Sequence, residues 1–136
     1  MFDLLQSIAP EFVGFVSDDG FTISSAVVQP EEFGNASIVL DSINFKLRVY
    51  TDRGQRFVDV GGNGRDWHKL EYVLEFLDPT CSQDLLDEPP KLDKLAAVLK
   101  KNMQAVPNLL ASDLAASGFA MFEKRKSADL IAKIFR

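Results

Sequence analysis

The clearest pattern along the chain is an alternation of apolar and polar positions between residues 36 and 60. Ile38 and Leu40 face one way, with Val39 and Asp41 on the other side. Ile43, Phe45, Leu47 and Val49 then alternate with Asn44, Lys46, Arg48 and Tyr50. A period of two with one apolar face predicts half-buried antiparallel strands. Thr51-Asp52-Arg53-Gly54 closes a hairpin, because Asp can bond its own turn backbone and Gly supplies a positive φ. On the return strand Arg56, Val58 and Val60 share one face, and Phe57 and Asp59 the other. Phe12 to Val16 and Phe21 to Val28 flank the turn signal Ser17-Asp18-Asp19-Gly20, which predicts a first hairpin.

The period changes on either side of this block. Phe2, Leu5 and Ile8 predict a short helix that ends at Pro10. After Gly61-Gly62-Asn63-Gly64, Asp66 is placed to cap a helix whose apolar stripe is Trp67, Leu70, Val73, Leu74 and Leu77. Glu71 and Glu75 fall on its opposite, solvated side, and Pro79 stops it. Gln83 to Pro90 is acidic and ends in two prolines, as a surface linker does. Leu92, Leu95, Ala96, Leu99 and Met103 form a helical stripe that ends before Pro107. A further helix runs from Leu109 to Lys126 with Leu110, Leu114, Ser117 and Met121 on its packed face, and Gly118 marks a bend or break. Ile131, Ile134 and Phe135 belong to a last turn or two. The expectation is one α+β domain over residues 1–136, strand-rich over 12–62 and helix-rich over 66–136. An antiparallel sheet of four to five strands packs against a mainly C-terminal group of helices.

Length and composition fit that expectation. The 136 residues, 46% of them apolar, suffice for one hydrophobic core. Eleven Phe against two Tyr and one Trp place most aromatic surface inside. No apolar run approaches the roughly 20 residues needed to span a bilayer. The N-terminal segment has Asp3 and no basic region, unlike a secretory signal. Cys81 is the single cysteine, which reads as a reduced thiol in a cytoplasmic protein.

Charge divides the chain. Residues 1–90 carry 16 acidic and 6 basic side chains, a net of −10, and residues 91–136 carry a net of +5. An acidic front repels phosphates, so direct nucleic-acid binding is not expected there, whereas a basic protein partner is permitted. The basic C-terminal group, Lys124-Arg125-Lys126 with Lys133 and Arg136, has the charge to meet nucleic acid but lacks interleaved aromatics beyond Phe122 and Phe135, which read as core, and it equally suits a solvated helix end.

Candidate chemistry is sparse. The Gly61–Gly64 run has neither dinucleotide-binding spacing nor the Lys-Ser/Thr ending of a phosphate loop. His68 is the lone histidine, tied by no motif to Cys81 or to a carboxylate, and a His-based metal site would need a second. Neither a metal nor a cofactor is expected. Asp52, Asp59, Asp66, Glu71 and Glu75 could converge at one end of the hairpin and helix. Such carboxylates could serve acid–base work, a cation, or recognition of Arg and Lys in a basic cleft, and the last fits the acidic front best.

The block FGNASIVLDSINFKLRVYTDRGQRFVDVGG, followed by W-x2-L-x2-VL-x-FL from Trp67 to Leu77, resembles immunity proteins of bacterial contact-dependent growth inhibition and other polymorphic toxin systems. The similarity covers residues 33–79, about a third of the chain, and none of its motifs is an enzyme signature. The resemblance implies a cytoplasmic, stoichiometric inhibitor with no catalytic residues. It would bind a cognate toxin domain, commonly a nuclease, and block its active site or the approach of its substrate. Charge and placement, rather than the resemblance, nominate the contact residues Asp52, Arg53, Asp59, Asp66, Glu71 and Glu75. An adaptor for another protein and a small hydrolase built on His68 are the alternatives.

Overall fold

The computed structural model describes residues 2–31, 34–62 and 66–134. It is the expected α+β architecture. Strands β1 (Thr22–Gln29), β2 (Asn35–Asp41), β3 (Lys46–Asp52), β4 (Gln55–Gly61) and β5 (His68–Lys69) form one sheet in sequence order, each antiparallel to the next. Helices α1 (Phe2–Ile8) and α2 (Val13–Asp18) precede the sheet. Helices α3 (Leu70–Leu77), α4 (Leu92–Lys101), α5 (Ala105–Leu110), α6 (Leu114–Ser117) and α7 (Phe119–Ile134) follow it.

One face of the sheet makes the core. Ile38, Leu40, Leu47, Val49, Val58 and Val60 are buried there against Leu5, Phe12, Leu74, Leu99, Val106 and Phe119. Phe12, Phe15, Phe21 and Phe45 form a chain of rings with successive centroids 5.3, 6.0 and 5.2 Å apart.

The sheet has five strands, within the expected four to five, but one of them is not where the sequence pattern placed it. Phe12–Val16 is no strand: Pro10–Phe12 is a 3-10 turn leading into α2. Phe12 and Phe15 lie about one helical turn apart, and both are buried. A run this short does not reveal its period, and the strand-rich region starts at residue 22 rather than 12. The fifth strand is the two-residue β5, which pairs Lys69 with Asp59 and His68 with Val60. Its formation explains why Asp66 caps nothing: α3 begins only at Leu70, with Lys69 in the cap position. Trp67 therefore lies outside the helical stripe. Gly61 is required here, since a Cβ would stand 2.9 Å from the Asp66 carbonyl oxygen.

Other expectations shift by a residue or a face. Ile43 is 92% exposed, because the chain has already turned at Ser42, whose hydroxyl donates to the Phe45 carbonyl at 2.7 Å. Glu75 is buried, not solvated, because α7 packs on the second side of α3. Pro79 does stop α3, at Leu77. The stretch before Pro90 is anchored by buried Leu85 and Pro90 rather than running over the surface throughout. Leu109 to Lys126 is three helices, interrupted where Asp113 caps α6 and where Gly118 adopts φ +88°. Ser117, Met121, Ile131 and Ile134 are consequently exposed. Phe33, Asn63, Gly64, Phe135 and Arg136 lie outside the described residues.

Candidate functional site

The helices that build the core leave the outer face of the sheet with its own side chains. The β3 alternation puts Lys46, Arg48, Tyr50 and Asp52 there. The register Arg48↔Asp59, Tyr50↔Phe57, Asp52↔Gln55 sets the outer residues of β4 beside them. That register follows from a two-residue turn in which Arg53 and Gly54 have φ of +52° and +84°. Positive φ at both central positions gives the primed turn whose twist suits a hairpin. Asn35 of β2 braces it, accepting from the Arg53 N–H at 3.0 Å and donating to Asp52 at 3.4 Å.

At the centre of this face Arg48 donates from Nε and Nη2 to Asp59 Oδ2 at 3.2 and 2.6 Å. The Asp59 side chain is 9% exposed and that of Arg48 34%. The guanidinium lies 4.6 Å from the Trp67 ring centre and 5.5 Å from that of Tyr50. Lys46 sits 4.9 Å from the same Trp67 ring. Tyr50 stacks on Phe57 with centroids 5.2 Å apart and planes 20° from parallel. Burial, and secondarily the Asp59 charge, push the Tyr50 hydroxyl above its usual pKa. Arg, Tyr, Trp and Phe are residue types enriched in protein interfaces, and here they are packed against one another.

Two concavities flank the stack. Tyr50, Arg48, Ser37, Asn35 and Asp52 line a shallow depression of about 410 Å³. Phe57, Tyr72, Glu71, Glu75 and Leu130 help line a groove of about 620 Å³ between β4, β5, α3 and the end of α7. Within it Lys126 Nζ lies 2.5 Å from Glu75 Oε2. Burial raises the Glu71 pKa, its own backbone N–H and Lys69 oppose the rise, and Asp59 and Glu75 add to it.

The six nominated residues thus separate. Asp59, Glu71 and Glu75 gather around β4 and α3, but Asp59 and Glu75 already hold internal cations. Asp52 and Arg53 are exposed at the hairpin tip, and Asp66 is exposed in the approach to β5. Glu71, on the groove wall, forms no salt bridge among the described residues. Arg48, Tyr50, Phe57 and Trp67 were not nominated. The register through the Asp52–Gln55 turn could have found the first three, since it sets two outer aromatics opposite each other.

His68 and Cys81 line neither concavity. His68 is not on a helix; its Nδ1 is 2.7 Å from Glu123 Oε2, and its ring meets Phe119 edge-on at 5.4 Å, so it fastens β5 to α7. Cys81 is buried, and desolvation followed by the Asp78 charge pushes its thiol up to about 11. Among the described residues no group of three or more His, Cys, Asp or Glu is arranged to hold a metal ion. None of their helices is long and apolar enough to cross a membrane.

No family model, curated protein or solved structure matches this chain. Its chemistry is that of a face: a braced hairpin, a partly buried Arg48–Asp59 pair and three aromatic rings, edged by carboxylates.

Proposed function

We propose that this chain is an immunity protein of the contact-dependent growth inhibition kind. It binds a cognate toxin domain in the cytoplasm, most simply a nuclease with a basic cleft, and blocks the active site or the path of its substrate. The observation that carries this reading is the outer sheet face, where Arg48, Tyr50, Phe57 and Trp67 are packed together with Asp52 and Glu71 at the edges. Aromatic and arginine anchors supply affinity, and peripheral carboxylates steer a basic partner into register. The net of −10 over residues 1–90 and the resemblance of residues 33–79 point the same way.

The test is titration of the toxin domain encoded by the neighbouring gene. One equivalent of this protein should abolish toxin activity. Tyr50→Ala should weaken binding by at least tenfold, as expected for an anchor residue. Asp52→Lys with Glu71→Lys should slow association and flatten its salt dependence. A toxin that stays active at excess protein removes the function. Inhibition untouched by these three substitutions removes the face, provided circular dichroism shows the variants folded.

A further inference from the structure

Strand β1 is the edge of the sheet, and the fold leaves it open. Its ladder partner is β2, and among the described residues no backbone group of Thr22–Gln29 makes a hydrogen bond beyond that ladder. An open edge presents a row of unpaired N–H and C=O groups, and proteins usually guard such edges with Lys, Pro, a bulge or a covering segment. Here a bulge between Ile23 and Ser25 guards the first half only. The remaining segment, Ser25-Ala26-Val27-Val28-Gln29, is regular and carries no charge. Val27 is 51% and Val28 49% exposed, although they point to opposite faces, so the strand projects beyond the layers that cover its neighbours.

We propose that two copies of this chain pair along β1, antiparallel and about a two-fold axis at Val27, to make a continuous ten-stranded sheet. The segment selects a second copy because it is complementary to itself. An isologous pairing must set inner positions against inner positions and outer against outer. With the axis at Val27, the midpoint of the regular segment, Val28 meets Ala26 of the other copy. Ser25 meets Gln29, and Val27 meets Val27. Every pair is uncharged, which lets two chains of net charge −5 meet where neither carries charge. A short ladder buries little area, so the dimer is expected at protein concentrations on the order of tens of micromolar rather than nanomolar. Added salt should tighten it by screening the repulsion between the acidic bodies. Salt should act in the opposite direction on a toxin complex steered by charge. The dimer does not depend on the toxin reading.

Sedimentation velocity across a dilution series tests the pairing, with the mass expected to rise from 15.1 kDa towards twice that value. Val27→Lys faces two cations across the axis while leaving a half-exposed position otherwise undisturbed, and should hold the protein monomeric. Val27→Cys should form a disulfide-linked dimer on oxidation, since directly opposed residues have Cα atoms about 4.5 to 5.5 Å apart. Gln29→Cys should not, because it faces Ser25 of the other copy and lies roughly 13 Å from its own counterpart. Native Cys81 is buried and leaves the readout clean. A constant 15.1 kDa mass at every concentration overturns the proposal. So does a Val27→Lys dimer as tight as wild type, or cross-linking at residue 29 equal to that at residue 27.

Discussion

Removing either partner of the Arg48–Asp59 pair should cost more than a surface ion pair is worth, and removing both should cost less than either alone. Asp59→Leu leaves a guanidinium two-thirds buried between Trp67 and Tyr50 without its counterion. Loss of one partner of a fully buried pair costs about 3–5 kcal/mol. Arg48 retains 34% exposure, so water recovers part of this and about 2–3 kcal/mol is expected. Over 136 residues the unfolding entropy is about 0.29 kcal/mol/K, so the melting temperature should fall by about 7–10 °C. Arg48→Met should cost at least as much, because the stranded Asp59 is the more buried partner. The double variant Arg48→Met/Asp59→Leu replaces the pair with apolar contacts on Trp67, Tyr50 and Phe57. It should recover most of the loss and give a coupling energy of about 1.5–3 kcal/mol. The assay is urea denaturation of the four proteins at pH 7. Single variants that each lose less than about 1 kcal/mol, and add without coupling, would show the pair behaving as a surface pair in high dielectric. The outer face would then not be organised as described.

Glu71→Gln should stabilise the protein at pH 7. Burial raises the folded-state pKa, so the stability this carboxyl contributes is full below the unfolded value and is lost as pH rises through the folded one; the gain on substitution should disappear below about pH 4. Urea melts at both pH values check this, and an equal difference at each refutes it. Gly61→Ala should destabilise by about 1–3 kcal/mol, since the new Cβ meets a backbone oxygen at 2.9 Å that cannot swing aside; thermal melting measures it. Cys81, buried and with its thiol pushed up to about 11, should resist maleimide at pH 7 in the folded protein and react promptly in urea. Ile43→Ser should change stability by less than about 0.5 kcal/mol despite removing a large apolar side chain, because that side chain is almost wholly in water.

Long periodic segments were the legible part of this fold. Leu47 and Val49 on β3, Val58 and Val60 on β4, and Leu95 and Leu99 on α4 are buried where alternation or helical spacing placed them. The failures have two physical sources. Phe12–Val16 is too short for its period to be distinct, and Ile43 falls in the turn at Ser42 although the alternation of β3 reads on through it. Asp66, Trp67 and Glu75 were misplaced because a two-residue strand and a covering helix are tertiary events. β5 exists only because β4 is there to pair with, and Glu75 is buried only because α7 lies across α3. The candidate face was half legible. The DRG turn fixed the hairpin register, but the carboxylates chosen by charge included two that the fold neutralises.

That neutralisation reassigns the charge division along the chain. Lys100 lies 3.2 Å from Asp19, Lys126 2.5 Å from Glu75 and Lys133 3.3 Å from Glu88. In each case a cation from the basic C-terminal third is placed on a carboxylate from the acidic front. Lys126 and Lys133 belong to the basic C-terminal group, and each lies beside a carboxylate: Lys126 against the buried Glu75, Lys133 in an exposed pair with Glu88. The pairing of Lys126 withdraws the buried Glu75, and leaves Asp52, Asp66 and Glu71 as the nominated carboxylates without a salt bridge among the described residues. Burial disfavours the charge of Glu71. A cation from a partner would relieve that penalty at the groove, beside Phe57 of the aromatic stack. Under the proposed function, the position that weakens the free protein is one where a basic partner would gain.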